Sequence, residues 1–84
     1  MALVITDNTS YVTIEDSATN EQRSHYPKNG MFLRREGSRF FLVNGGDRST
    51  PLKKFNFDEV STVDAVAPAD ADALELALVG VLFQ

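Results

Sequence analysis

The chain has no cysteine and no tryptophan, and only three of its 84 residues are proline. Without cysteine it has no disulfide framework, no thiolate nucleophile and no zinc or iron–sulfur site with cysteine ligands. A long apolar run is also missing, because the most apolar stretch, residues 76–83, is far shorter than the ~20 residues that span a bilayer. The N-terminus has no basic segment before Asp7, so we read it as a first strand and not as a secretory signal. We expect no membrane partner.

The length of 84 residues predicts one domain over residues 1–84, and a hydrophobic content of 43% is ordinary for a folded protein. A chain this short buries only ~60–65% of the surface that its unfolded form exposes. Its core is therefore small, and assembly with neighbouring molecules would add to its stability.

The net charge of −4 hides a segregation of charge along the chain. Residues 1–22 carry four acids and no base, residues 23–54 carry all eight bases with two acids, and residues 55–84 carry six acids and no base. The middle of the chain is thus basic and both ends are acidic. Contact between unlike patches of neighbouring copies is one way to use such a pattern, and it generates rings or filaments.

Residues 1–60 read as short β-strands separated by turn sequences. The turns have side chains that favour tight backbone conformations, above all Asn29-Gly30 and the segment from Asn44 to Asp47. A polar segment, residues 15–22, reads as an exposed loop. The predicted strands are 2–6, 10–14, 23–26, 31–35, 38–43 and 52–57.

The strand at 38–43 is apolar on both faces. Phe40 and Leu42 alternate with Phe41 and Val43, so apolar side chains point both ways. This pattern predicts a central strand that is covered on both sides. In the next strand, Phe55 and Phe57 share one face and are predicted to point into the core.

A linker, residues 61–69, is expected to lead into a C-terminal helix at 70–83, since Pro68 stands just before the helical pattern begins. Asp70 or Asp72 can cap its first turn, and Asp72 with Glu75 resembles a capping box.

The predicted helix is apolar nearly all round in its second half. Leu74, Leu78 and Leu82 lie on one stripe, which can pack on the sheet. A second stripe lacks an obvious cover, and we expect it to meet another chain; the alternative is a helix lodged deeply against a curled sheet. The second stripe consists of Leu76, Val79 and Phe83.

No constellation of residues points to catalysis, a metal or a cofactor. His25 is the only histidine and the one ready candidate for a general base, but its neighbour Ser24 would point to the opposite face of a strand. Asp58 and Glu59 offer too few oxygens for a cation. The segment from Gly45 to Asp47 lacks the ending of a phosphate-binding loop and reads as a turn. We therefore expect no enzyme, no metal and no cofactor.

The basic hairpin offers three interpretations. Its arginines, Arg34, Arg35 and Arg39, interleave with Phe32, Phe40 and Phe41. The phenylalanines can be plain core with arginine stems on the solvent face, or the patch can meet an acidic surface, including one on a neighbouring copy. The third interpretation is a platform on which bases stack and phosphates meet arginine, although the domain is acidic overall and nucleic-acid-binding domains usually have a pI above ~9.

The order of elements in residues 30–84 resembles small virion structural proteins of tailed phages, especially crAss-like and related phages of Bacteroidetes. The resemblance rests on Phe55-Asn56-Phe57-Asp58-Glu59-Val60-Ser61 and on the Ala/Leu-rich segment from Ala69 to Leu78. Members of that group often end in an F-x-F-D-D-V strand and a helix of this composition. The resemblance implies a β-rich module with a C-terminal helix, present in many copies in a capsid, neck or tail of a virion and without enzymatic activity.

Together these patterns predict an α+β fold, a small antiparallel sandwich or barrel-like sheet of five to seven strands with one C-terminal helix. The expected role is a non-enzymatic subunit of a multi-copy assembly whose partners are copies of itself or other virion proteins. The alternative is a small nucleic-acid-binding β module. The residues predicted to make the subunit contact are Leu76, Val79, Phe83, Arg34, Arg35 and Arg39.

Overall fold

A computed structural model describes residues 2–16 and 23–82, with the Arg48 side chain left out. It has seven strands and one α-helix, with a short 3-10 turn at Phe57–Glu59. The elements are β1 (Leu3–Asn8), β2 (Tyr11–Asp16), β3 (Arg23–Pro27), β4 (Met31–Glu36), β5 (Arg39–Asn44), β6 (Asp47–Asn56), β7 (Val60–Val63) and α1 (Ala71–Leu82).

The strands form two sheets, one with the order β3-β2-β1-β7 and one with the order β4-β5-β6. All neighbouring strands pair antiparallel except β1 and β7, which run parallel. Apolar side chains from both sheets and from α1 meet in one cluster. The α+β fold class, the strand number and the C-terminal helix predicted from the sequence are confirmed.

The helix closes one side of this core. It contacts β4 and β7, which are edge strands of the two different sheets. Its buried residues are Leu74, Leu78, Val81 and Leu82, so the first predicted stripe does face the core. Beneath it, the rings of Phe40 and Phe55 stack with their centroids 5.9 Å apart.

The segment between β6 and α1 differs from the prediction. The sequence predicts a linker over residues 61–69, but residues 60–63 form β7, which pairs with β1. The strand is only four residues long and ends at the turn formed by Asp64 and Ala65, so its alternation was too brief to recognise. Residues 15 and 16, expected in a loop, extend β2, and the rest of that expected loop, residues 17–22, lies outside the described residues.

The start of the helix follows one of the two predicted alternatives. The Asp70 carboxylate accepts a hydrogen bond from the Ala73 backbone N–H at 2.8 Å and caps the first turn. The capping box predicted for Asp72 and Glu75 is wrong, because Asp72 lies inside the helix; both carboxylates instead accept hydrogen bonds from Arg35 of β4.

The turn after β7 carries backbone strain. Asp64 and Ala65 have φ values of 50° and 67°, in the left-handed region. Asp64 is suited to this conformation and its carboxylate accepts the Asp7 backbone N–H at 2.8 Å. Ala65 has no such compensation, and the left-handed conformation costs about 1 kcal/mol for a residue with a Cβ.

We therefore expect Ala65→Gly to raise the free energy of unfolding by about 0.5–1 kcal/mol, because glycine adopts this φ without strain and loses part of the gain to its unfolded-state entropy. Urea unfolding of the two proteins measures the difference. Ala67→Gly, two residues away and without a positive φ, is the matched control and should bring no gain. A loss of stability in Ala65→Gly would contradict the strained turn.

Candidate functional site

The outer face of the β4-β5-β6 sheet combines cations with apolar groups. Strand register places Arg34, Phe41 and Lys54 in one row across the three strands. The Arg34 guanidinium carbon lies 4.6 Å from the centroid of the Phe41 ring, a cation–π contact. Arg39 lies two residues before Phe41 in β5, so its exposed side chain is on the same face. We call this surface the basic face; it comprises Phe32, Arg34, Arg39, Phe41, Val43, Leu52 and Lys54.

Three residues give the basic face an apolar patch. Val43 is only 2% exposed but does not belong to the main core cluster, because it points away from it. Phe32, directly opposite Val43 on β4, and Leu52 on β6 are 40% and 44% exposed. β5 is central to its sheet, as predicted, and neighbouring side chains cover Val43 on its outer side, so the exposed apolar surface of this face belongs to β4 and β6.

The ring of Phe32 lies against the turn between β5 and β6. A Cβ added at Gly45 would come within 2.7 Å of the Phe32 ring. Glycine at this position lets the backbone approach the ring closely. The turn that the sequence indicated at Gly45-Gly46 therefore also holds Phe32 in place.

The cations of the basic face differ in how they are paired. Arg34 makes a solvent-exposed ion pair with Glu36 at 3.3 Å. Arg39 and Lys54 are exposed, and no ion pair to either is found within the described residues. Both line an open depression of about 450 Å³ at one end of the face, where Glu59 also lies. These two side chains remain available to an anionic partner.

Arg35 lies on the opposite side of β4 from Arg34. Its Nη1 donates to Asp72 Oδ1 at 2.6 Å and to Glu75 Oε1 at 2.9 Å, and its Nε donates to the Gly37 carbonyl at 2.6 Å. The hydrogen bonds to Asp72 and Glu75 raise the pKa of Arg35. Arg34, Arg35 and Arg39 are therefore not one patch, and Arg35 binds α1 of its own chain.

The second exposed surface is the outer face of α1. Leu76 is 74% exposed and Val79 is 42% exposed. Phe83, which continues this stripe in the sequence, lies outside the described residues. Asp72 stands at the start of the same stripe and is exposed. We call Asp72, Leu76 and Val79 the helix face.

The outer face of the other sheet is polar. It brings together residues that the sequence did not predict to be in contact. The Thr13 hydroxyl lies 3.0 Å from His25 Nδ1 and accepts a hydrogen bond from the Asn8 side-chain amide. Strand pairing of β2 with β3 creates this contact, so it spans 12 positions and leaves no local signal. Thr13 is buried and its hydrogen bonds are satisfied, which suits a structural hydroxyl better than a nucleophile. Ser24 is not part of the cluster.

The described residues contain no cluster of three or more side chains able to hold a metal ion. Asp58 and Glu59, considered above as cation ligands, belong to the short 3-10 turn, where Glu59 accepts the Asn56 backbone N–H at 3.0 Å. Among the residues that the structure describes, no helix has the length and hydrophobicity needed to cross a membrane.

A half-buried ion pair ties the β1-β2 turn to the segment between β3 and β4. Lys28 Nζ lies 2.5 Å from Asp7 Oδ1. This hydrogen bond to Lys28, aided by its positive charge and by the Thr9 backbone N–H, holds the pKa of Asp7 below its ordinary value of 3.8 despite opposing desolvation. Since the pKa is lowered on folding, the pair contributes stability above about pH 4 and loses it as the pH falls through the folded-state pKa.

We accordingly expect the melting temperature to fall below pH 4, and Asp7→Asn to make that fall shallower while lowering the melting temperature at pH 7. Thermal unfolding followed by circular dichroism between pH 2 and pH 7 measures both effects. Asp58→Asn removes an exposed carboxylate that takes no part in this ion pair and serves as the control. An unchanged acid dependence in Asp7→Asn would show that other carboxylates govern it.

No known protein family matches the chain, and comparison with curated proteins and with solved structures finds no similar protein.

Proposed function

We propose that this chain is a non-enzymatic structural subunit that acts in a multi-copy assembly, with a phage virion as the setting that the resemblance of residues 30–84 implies. The observation that carries the proposal is the helix face. A helix that already buries four side chains in the core still exposes Leu76 and Val79 to solvent.

The energetics favour a partner over this face. Fully burying a leucine or valine side chain contributes about 1.5–3 kcal/mol. Net stability of ~0.05–0.15 kcal/mol per residue gives a domain of 84 residues only about 4–13 kcal/mol, so the burial of two such side chains would add substantially to it. Association through the helix face would therefore stabilise the fold and the assembly together.

The mass of the chain in solution tests the proposal. We expect multi-angle light scattering on a sizing column to give a mass above that of the 9.3 kDa monomer, rising with concentration. The double variant Leu76→Ser/Val79→Ser should shift the mass toward the monomer, because it removes apolar area that only a partner covers.

Val66→Ser is the matched control. Val66 is an exposed aliphatic side chain that lies in the turn after β7 and outside the helix face, so its replacement should leave the mass unchanged. A folded wild-type chain that stays monomeric at every concentration would refute self-assembly, and an undiminished mass in the double variant would remove the helix face from it.

Binding of single-stranded nucleic acid is the second candidate function, favoured by the position of Phe41 between Arg34 and Lys54 on an exposed sheet face. It predicts that affinity for an oligonucleotide falls linearly with the logarithm of salt concentration, with a slope set by the phosphates neutralised. The net charge of −4 and the pI of about 4.7 weigh against it.

A further inference from the structure

We infer that the helix face of one copy docks on the basic face of a second copy, so that the chain assembles head to tail through two different surfaces. This inference rests on the proposed self-assembly and names its partner surface. Its starting point is the outer face of the β4-β5-β6 sheet, where Val43 is buried outside the main core but Phe32 and Leu52 beside it are exposed.

The two faces match in their apolar parts. The helix face presents Leu76 and Val79, and the basic face presents Phe32 and Leu52 above the buried Val43. Each patch is too small to form a core by itself. Together they would form an apolar centre of the kind that protein interfaces have.

They also match in charge. Around the apolar patch of the basic face stand Arg34, Arg39 and Lys54, of which the last two have no ion pair among the described residues. The helix face begins at Asp72, whose side chain stays 83% exposed although it pairs with Arg35 of its own chain, and the exposed helix cap Asp70 lies close by. Complementary charges at the rim of an interface set its orientation and suppress wrong pairings.

The dimensions agree as well. The 12 residues of α1 extend about 18 Å, and the six-residue strands β4 and β5 extend about 20 Å. One helix therefore covers the outer face of this sheet along most of its length. The outer face of the other sheet has a polar centre at Thr13 and His25 and offers no such apolar patch.

A contact between two different surfaces has a consequence for symmetry. Each copy retains a free helix face at one end and a free basic face at the other, so the chain forms a closed ring or an open filament, unlike a two-fold dimer, which uses one surface twice.

Mixing two half-defective variants tests the inference. Arg39→Glu/Lys54→Glu destroys the basic face and keeps the helix face, and Leu76→Ser/Val79→Ser does the reverse. Each variant alone should associate at least about tenfold more weakly than the wild type at low salt, because a like-charge or polar mismatch disrupts the interface. Mixed in equal amounts, they should form a one-to-one complex of twice the monomer mass, since one intact interface remains between them.

Circular dichroism of each variant establishes that it is folded, and Arg23→Glu, a charge reversal on the other sheet, should leave association unchanged. If Arg39→Glu/Lys54→Glu assembles like the wild type, helix meets helix or another surface, and the inference fails while the proposed self-assembly stands. If the wild type is monomeric and binds oligonucleotide through Arg39 and Lys54, both fail.

Discussion

Replacing Leu78 by alanine should lower the free energy of unfolding by about 2–5 kcal/mol, a large part of the roughly 4–13 kcal/mol that a domain of this length has at ~0.05–0.15 kcal/mol per residue. Leu78 is 1% exposed and lies in the central cluster where α1 meets both sheets. Removing its buried methyl groups loses their transfer free energy and leaves a cavity that the two sheets cannot readily close.

Leu76→Ala is the matched control for this prediction, because it is the same substitution two residues earlier in the same helix. Leu76 points away from the core, so in dilute, monomeric protein its replacement should change the free energy of unfolding by no more than about 0.5 kcal/mol. Urea unfolding at low protein concentration measures both values. Equal losses in the two variants would contradict the assignment of one stripe to the core and the other to solvent.

Replacing Arg35 by methionine should detach the start of α1 from β4. Arg35 donates to Asp72 and Glu75 on the helix and to the Gly37 carbonyl after β4, and bonds of this charged kind are stronger than neutral ones. The Arg35 guanidinium carbon also lies 5.6 Å from the centroid of the Phe40 ring. Methionine keeps a similar aliphatic stem but loses every donor and this cation–π contact. We expect amide protection in the first turns of α1 to fall on the order of tenfold.

Arg34→Met provides the comparison for Arg35→Met. Arg34 precedes Arg35 directly, but it points to the basic face and its ion pair with Glu36 is exposed, so the helix amides should keep their protection. Hydrogen exchange monitored by mass spectrometry reports both variants. Unchanged protection in Arg35→Met would mean that apolar packing alone holds the start of the helix.

The fold could be predicted largely from the sequence because local signals determine most of it. The alternation in β5, the turns at Gly30 and Gly45 and the leucine stripe of α1 each depend on neighbouring residues. β7 escaped prediction because four residues are too few for a period to stand out, and because its parallel partner, β1, lies more than 50 positions earlier in the chain.

The surfaces were harder to predict than the fold. The spacing of apolar residues predicted the exposed stripe of α1. The roles of Arg34 and Arg35 depend instead on the folded sheet, which places Arg34 on the basic face and Arg35 against α1. The contact between Thr13 and His25 depends on the register of two strands. Such long-range pairings leave no local pattern in a single sequence.

Site-specific cross-linking tests the head-to-tail contact most directly, and the absence of native cysteine makes it clean. A chain carrying Leu76→Cys is mixed with one carrying Leu52→Cys and treated with a short bis-maleimide, with Val66→Cys as the exposed control. The account predicts a cross-link mainly between the two different chains, with little product from either alone or from the control. Efficient cross-linking of Leu76→Cys chains to one another would show that helix meets helix, and would contradict the head-to-tail contact.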